Sequence, residues 1–203
     1  MKLTRFFVAG MFGAFALSAQ AAPAWTDWSS VNNGTLTQGS HTTNVTLTGV
    51  AYNYDNGSPF YYQYPATFGN LNPSDLIREV GTGTVTLTFD QPVTDLYLAL
   101  VSVGQPGLPV TYSFNQAFSV FSDGPGGWGS GTYSISGNDF TGREFNGVLF
   151  FAGTFSSLSF SINQAENWHG FNIAAADVPE PGTLALAALA GLGALSARRK
   201  RSV

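Results

Sequence analysis

The sequence predicts an all-β fold: an antiparallel β-sandwich of jelly-roll type, flanked by an N-terminal signal helix and a C-terminal transmembrane helix. Three observations lead there. Apolar and polar residues alternate with a period of two in one segment after another, the pattern of strands with one buried face. Turn signatures rich in Gly, Pro, Asn and Asp separate those segments. The chain is 14% aromatic and only 10% charged, and it contains no cysteine. Its solubility comes from Ser, Thr, Asn, Gln and Gly, which is the balance of an extracellular β-protein and not of a disordered tract.

In chain order, Lys2 and Arg5 precede the apolar stretch Phe6 to Leu17 and the small-residue site Ala19-Gln20-Ala21. This is the layout of a secretory signal peptide over residues 1–21, cleaved after Ala21. The strands come next. Asn44 to Thr48 places Val45 and Leu47 on one face, and Thr84 to Phe89 does the same with Val85, Leu87 and Phe89. Leu96 to Val103 is apolar almost throughout, as expected of a central strand covered on both sides. Val110 to Phe114, Phe118 to Ser122, Tyr133 to Ser136, Gly147 to Ala152, Leu158 to Asn163 and Phe171 to Ala174 complete the set. Turns are expected at Asn56-Gly57, Asn72-Pro73, Gly104 to Gly107, Asp123 to Gly127 and Gly137 to Asp139. One short helix is expected over Pro73 to Glu79, with Ser74 as its cap. The domain they build spans residues 22–177, with no internal repeat.

The last segment, 178–203, has three parts. Pro179-Glu180-Pro181 cannot enter a helix or a central strand, because both prolines lack an N–H and restrict the residue before them. An apolar run from Leu184 to Ala197 follows, within a membrane helix expected over 183–197. Its fourteen residues reach roughly 21 Å as a helix, short of a hydrocarbon core of about 30 Å, and snorkelling cations with local thinning cover the difference. Arg198, Arg199, Lys200 and Arg201 then hold the far end on the cytoplasmic side. This tripartite tail resembles the PEP-CTERM sorting signal of Gram-negative bacteria. The resemblance implies processing near the Pro-Glu-Pro step by an exosortase, a membrane-embedded cysteine protease, after passage through the export machinery and transient residence in the inner membrane. It further implies delivery to the cell surface or the extracellular space, where exopolysaccharide and biofilm matrix are the expected surroundings. Phe89 to Leu96 resembles a strand-turn-strand element of exported sandwiches with such tails. Trp25 to Trp28 and Glu166 to Phe171 resemble the two edges of one family of uncharacterised domains. None of these brings a catalytic residue with it.

Charge excludes one class outright. Six of the eight basic residues belong to the two export segments. Between residues 22 and 177 only Arg78 and Arg143 remain, against eleven acids, for a net charge of −9. Such a surface repels nucleic acid and anionic lipid, so neither is an expected partner. Without disulfides the domain stands on its apolar core, and a chain of about 150 residues buries roughly 68–70% of its unfolded surface.

Few residues point to chemistry. Gly124-Pro125-Gly126-Gly127-Trp128-Gly129 fits the letters of a dinucleotide fingerprint, but a strand and not a helix is expected after it, so it reads as a loop. There is no Cys nucleophile and no Gly-x-Ser-x-Gly elbow. His41 and His169 are too few for a zinc site, and His169 is expected hydrogen-bonded at a strand start. Asp90, Asp95, Asp123, Glu144 and Glu166 could supply the opposed carboxylates of a glycosidase, yet spacing alone does not pair them. The expectation is a protein that is not an enzyme, with no cofactor. A structural Ca²⁺ held by Asp123 or Asn138-Asp139 is the alternative to ordinary turn roles for those residues. Sugar binding suits the residue types best, since aromatic rings stack on pyranose faces while their polar tips and nearby amides bond hydroxyls. Tyr52, Tyr54, Tyr61, Tyr62 and Tyr64 crowd one region, and Trp128 sits in the glycine loop. The leading expectation is a non-enzymatic surface or matrix component; a carbohydrate-binding module using these rings is the alternative, and a glycan-cleaving enzyme the third.

Overall fold

The computed structural model describes residues 23–51, 53–56, 64–71 and 75–176. Both end helices expected from the sequence lie outside the described residues. So do Ala19, Ala21, the Pro179-Glu180-Pro181 step, the basic residues 198–201, Tyr52, Tyr61 and Tyr62. Among the described residues no helix is long and apolar enough to cross a membrane.

The described chain is all-β. Its strands are β1 (Ala24–Trp25), β2 (Asp27–Trp28), β3 (Asn33–Gln38), β4 (His41–Gly49), β5 (Asn53–Asn56), β6 (Asp75–Glu79), β7 (Gly83–Val103), β8 (Val110–Phe114), β9 (Ser119–Asp123), β10 (Pro125–Gly126), β11 (Gly129–Ser130), β12 (Thr132–Ser136), β13 (Asp139–Arg143), β14 (Phe145–Ile162) and β15 (His169–Ala175). Every pairing is antiparallel.

Two of these strands are much longer than the sequence pattern suggests, and they organise the others. Thr84 to Phe89 and Leu96 to Val103, expected as separate strands around a turn, form the single 21-residue β7. Gly147 to Ala152 and Leu158 to Asn163 likewise merge into the 18-residue β14. The two strands pair along their length from Phe145↔Val103 to Ile162↔Gly83, with register shifts at 145/147, 151/154 and 155/157. Both bend at the same height, so the ladder turns without breaking. Asp95 (φ 54°) and Gly153 (φ 125°) take left-handed backbone conformations there, and the Gly153 amide donates to Asp95 Oδ1 at 2.9 Å. Pro92, which has no N–H to give, falls in the stretch that the ladder skips.

The bend makes two layers. One carries β2, β3, β4, the first half of β7, the second half of β14, β8, β13 and β12. The other carries β5, β6, β15, the second half of β7, the first half of β14 and β9, with β1 beside the end of β15. Leu47, Leu87, Leu158 and Phe160 from the first face Leu98, Leu100, Phe171 and Ile173 from the second in one buried core. Rings cross the gap between layers: Phe160 meets Phe171 edge-on at 5.4 Å, and Phe114 meets Phe151 at 5.1 Å.

The second layer is buried on its outer face as well. Tyr97, Ala99, Val101, Val148 and Ala174 point there, covered by Phe68, Leu71 and Trp25. Residues 64–71 form a series of tight turns, and the Trp25 indole donates to the Leu71 carbonyl. This covering explains the continuous apolar run at Leu96 to Val103.

The short helix expected at Pro73 to Glu79 is not formed. Asp75 to Glu79 is strand β6, hydrogen-bonded to β5 and to β15. Leu76 joins the outer cluster and Ile77 the central core, so successive side chains face opposite layers, as only a strand allows. Two apolar neighbours flanked by charges look the same to a helical pattern in so short a window.

Phe160 stacks on Tyr112 in its own layer (4.9 Å, 7° between planes) and meets Phe171 in the other. Phe160→Ala is expected to cost about 3–5 kcal/mol of unfolding free energy, read from the midpoint of urea denaturation.

Candidate functional site

At one end of the β7–β14 pair lies a cleft of about 360 Å³ lined by Ser102, Gln105, Pro106, Trp128, Glu144, Asn167 and Trp168. That is within the range of small-ligand sites. Trp128 stands at the tip of the β10–β11 hairpin, where Gly126 pairs with Gly129, and it is 52% exposed. No helix follows the glycine loop; β12 does. Gly126 is needed because a Cβ there would run into the Asn146 amide on which the hairpin rests. Trp168 precedes β15, and its ring centroid lies 5.2 Å from that of Trp128 with the planes at 53°. The two indoles form an angled wall.

The rest of the described lining is mainly polar, and part of it is held in place. Ser102 Oγ donates to Glu144 Oε1 at 2.7 Å, and the Ser102 amide donates to Asn146 Oδ1 at 2.9 Å. Asn146 Nδ2 donates back to the Glu144 carbonyl at 3.1 Å, while the Glu144 amide donates to the Gly104 carbonyl at 2.8 Å. Ser102 (φ 53°) and Glu144 (φ 61°) both adopt the left-handed conformation without being glycine. Two such residues facing one cleft mark backbone strain kept in place by the surrounding bonds, a recurrent feature of ligand sites.

Beneath the cleft is a buried polar group. Glu166 Oε1 accepts from the Gly104 amide at 2.8 Å and lies 2.7 Å from His169 Nδ1. His169 opens β15, fully buried, with its ring edge-on to Tyr112 and opposite Glu79 in the strand register. Among the described residues, both Glu79 oxygens, Glu166 Oε2 and His169 Nε2 are buried with no hydrogen-bond partner. Burial pushes the Glu79 carboxyl up to about 8. The Tyr112 phenol is held well above its ordinary value, by burial first and then by Glu79 and Glu166. Glu79 also borders a smaller hollow of about 160 Å³ with Val50, Ala51, Val80 and Gly81. Among the described residues no group of three or more His, Asp or Glu side chains is arranged to hold a metal ion.

Of the tyrosines expected to bind sugar, Tyr54 is half-buried against the core and Tyr64 opens the turns that cover the second layer. Neither lines the cleft of Trp128. Of the expected carboxylates, Glu144 lines the cleft and Glu166 lies under it. Asp90 accepts from the amide and side chain of Asn44, Asp95 staples the bend, and Asp123 is exposed at the end of β9. Sequence reasoning missed the pairing of Trp168 with Trp128 across forty positions, and it missed Glu79. The one available signal for Glu79 was an acid inside an apolar segment, Leu76-Ile77-Arg78-Glu79-Val80.

Residues 177–201 match the family model of the PEP-CTERM protein-sorting motif. The chain carries an exosortase sorting tail. Such a tail implies export across the inner membrane and exosortase processing to the cell surface. No curated protein and no solved structure matches the chain.

The raised Glu79 carboxyl has a sign that can be measured. Its folded value exceeds the ordinary 4.5, so the unfolded chain loses this proton first. Stability is therefore lost as pH rises from about 4.5 to about 8, by up to roughly 1.4 kcal/mol per pH unit. Glu79→Gln, neutral at every pH, is expected to match the wild type at pH 4 and to unfold at higher urea at pH 9. A constant difference across that range would contradict the burial of the charge.

Proposed function

We propose that this is a non-enzymatic surface or matrix protein that associates with exopolysaccharide through the cleft of Trp128 and Trp168. The observation that carries this reading is the pairing of two indole faces with a fixed polar wall in one cleft. A sugar ring needs an apolar platform for its C–H face and oriented donors and acceptors for its hydroxyls. Trp128 and Trp168 supply the first; Ser102, Gln105, Glu144 and Asn167 supply the second. Sorting to the cell surface would bring the cleft to where such polymers lie. Cleavage after Ala21 and exosortase processing near Glu180 belong to the same reading. The tyrosine-rich region around Tyr61 and Tyr62 would add a second contact surface. The jelly-roll assignment is supported by the chain's repeated passage from one layer to the other.

Retention of the protein on the producing cell's own exopolysaccharide tests the binding half. Trp128→Ala is expected to weaken it at least about tenfold, which corresponds to the roughly 1–2 kcal/mol that one aromatic platform contributes. Undiminished retention would remove the cleft from the account. The sorting half is read by mass spectrometry of envelope and medium. Replacing Glu180, or deleting Arg198 to Arg201, is expected to leave an uncleaved, membrane-held precursor; mature protein of wild-type mass in the medium from both variants would refute that part.

A further inference from the structure

We propose that the cleft selects glycans bearing a free, protonated amine, such as a de-N-acetylated hexosamine, over neutral and anionic ones. This deepens the glycan-binding reading and rests on it. Among the described residues the charge on the cleft wall has one sign: Glu144 is the only ionisable group of the described lining, and neither Arg78 nor Arg143 belongs to it. Lysine is absent between residues 22 and 177.

The carboxylate is also aimed. The amide of Glu144 is tied to the Gly104 carbonyl and its carbonyl to Asn146, while Oε1 is taken by the Ser102 hydroxyl. Among the described residues Oε2 makes no hydrogen bond, and the residue is only half-buried. It therefore keeps acceptor capacity for a ligand without first having to be ordered. The same cleft is lined by two indoles, and indole faces attract cations. An ammonium group between a carboxylate and an indole face gains from both, in a partly enclosed site that solvent screens less than open surface. A uronic acid meets the opposite situation, since its carboxylate would approach Glu144 with no base to receive it. A neutral N-acetyl sugar keeps the stacking and forgoes the ion pair. The order expected is amine, then neutral, then acid.

The experiment measures affinity of the full chain in mild detergent by tryptophan fluorescence. The ligands are oligomers of glucosamine, N-acetylglucosamine and galacturonic acid of equal length. The glucosamine series is expected to bind about tenfold more tightly than the acetylated one at low salt. That ratio should shrink in half-molar salt and fall toward one in Glu144→Gln. Should the Gln variant fail to fold, the wild-type ratio and its salt dependence still decide. Equal affinity for the two series, or a preference that salt leaves unchanged, overturns the amine selection while leaving the glycan reading intact. A preference that survives in Trp128→Ala places the amine on the acidic surface at large and overturns it too. If none of the three oligomers binds, the glycan reading falls and this inference with it.

Discussion

The pairing of β7 with β14 is the constraint on which the remaining structure depends. The domain has no disulfide, and two arginines cannot build an ion-pair network, so one continuous apolar core must hold it. That core exists because two long strands bend together and take part in both layers. A bend in one strand alone would orphan ladder groups in the other, each costing about 1–3 kcal/mol if buried. Here the bends coincide, and the Asp95 side chain accepts the amide that Gly153 turns away from the ladder. The same pairing positions the cleft. β7 ends at Ser102 and Val103 where β14 begins at Phe145 and Asn146, and the polar wall occupies the register shift between Phe145 and Gly147, where the Asn146 side chain and not a ladder partner takes the Ser102 amide.

The sequence made some features legible and hid others, and physical range separates the two. Alternation at Val45 and Leu47, or at Val85 and Leu87, records which face is buried, and each residue reports it locally. The proline-acid-proline step, apolar run and cations are likewise local, since one short stretch holds all three and the sorting-motif model matches it at 177–201. The cleft is different. Trp128 comes from a small hairpin, Trp168 from the entry to β15 and Glu144 from the junction of β13 and β14, so no window of sequence contains them together. The left-handed backbones of Ser102 and Glu144 were also invisible, because Gly and Asn advertise that conformation and Ser and Glu do not. At Asp75 to Glu79, five residues hold too few periods to tell a strand from a helix, and pairing with β15 decided it.

Glu166 joins the two polar regions of the molecule. One of its oxygens serves the Gly104 amide, which belongs to the turn bearing Gln105 and Pro106, and His169, which lies in the core. The next two residues, Asn167 and Trp168, are cleft wall. A buried carboxylate is a poor source of stability, since desolvation offsets most of the attraction it gains. Its use here is geometric: it fixes where the turn after β7 stands relative to the strand that follows Trp168. Glu79, with no partner for either oxygen among the described residues, is costly to the fold once ionised.

The distribution of charge connects the ends of the chain to its middle. Six of eight cations lie where the sequence places the two export segments, at positions 2, 5 and 198–201. If those segments act as the sequence leads one to expect, cations there would resist translocation and set orientation, and a domain almost free of them would offer no competing stop. Separating the domain from those segments takes the charge from −4 for the whole chain to −9. An anionic body in a hydrated polymer layer draws cationic groups toward it from beyond contact distance and keeps other acidic polymers off, to the extent that salt permits. Under the reading proposed for the cleft, that field and Glu144 act in the same sense: the first raises the local concentration of amine-bearing chains, and the second gives one amine a fixed place between the indoles. The scarcity of bases between residues 22 and 177 is then the same property that leaves the described lining of the cleft with a single sign of charge.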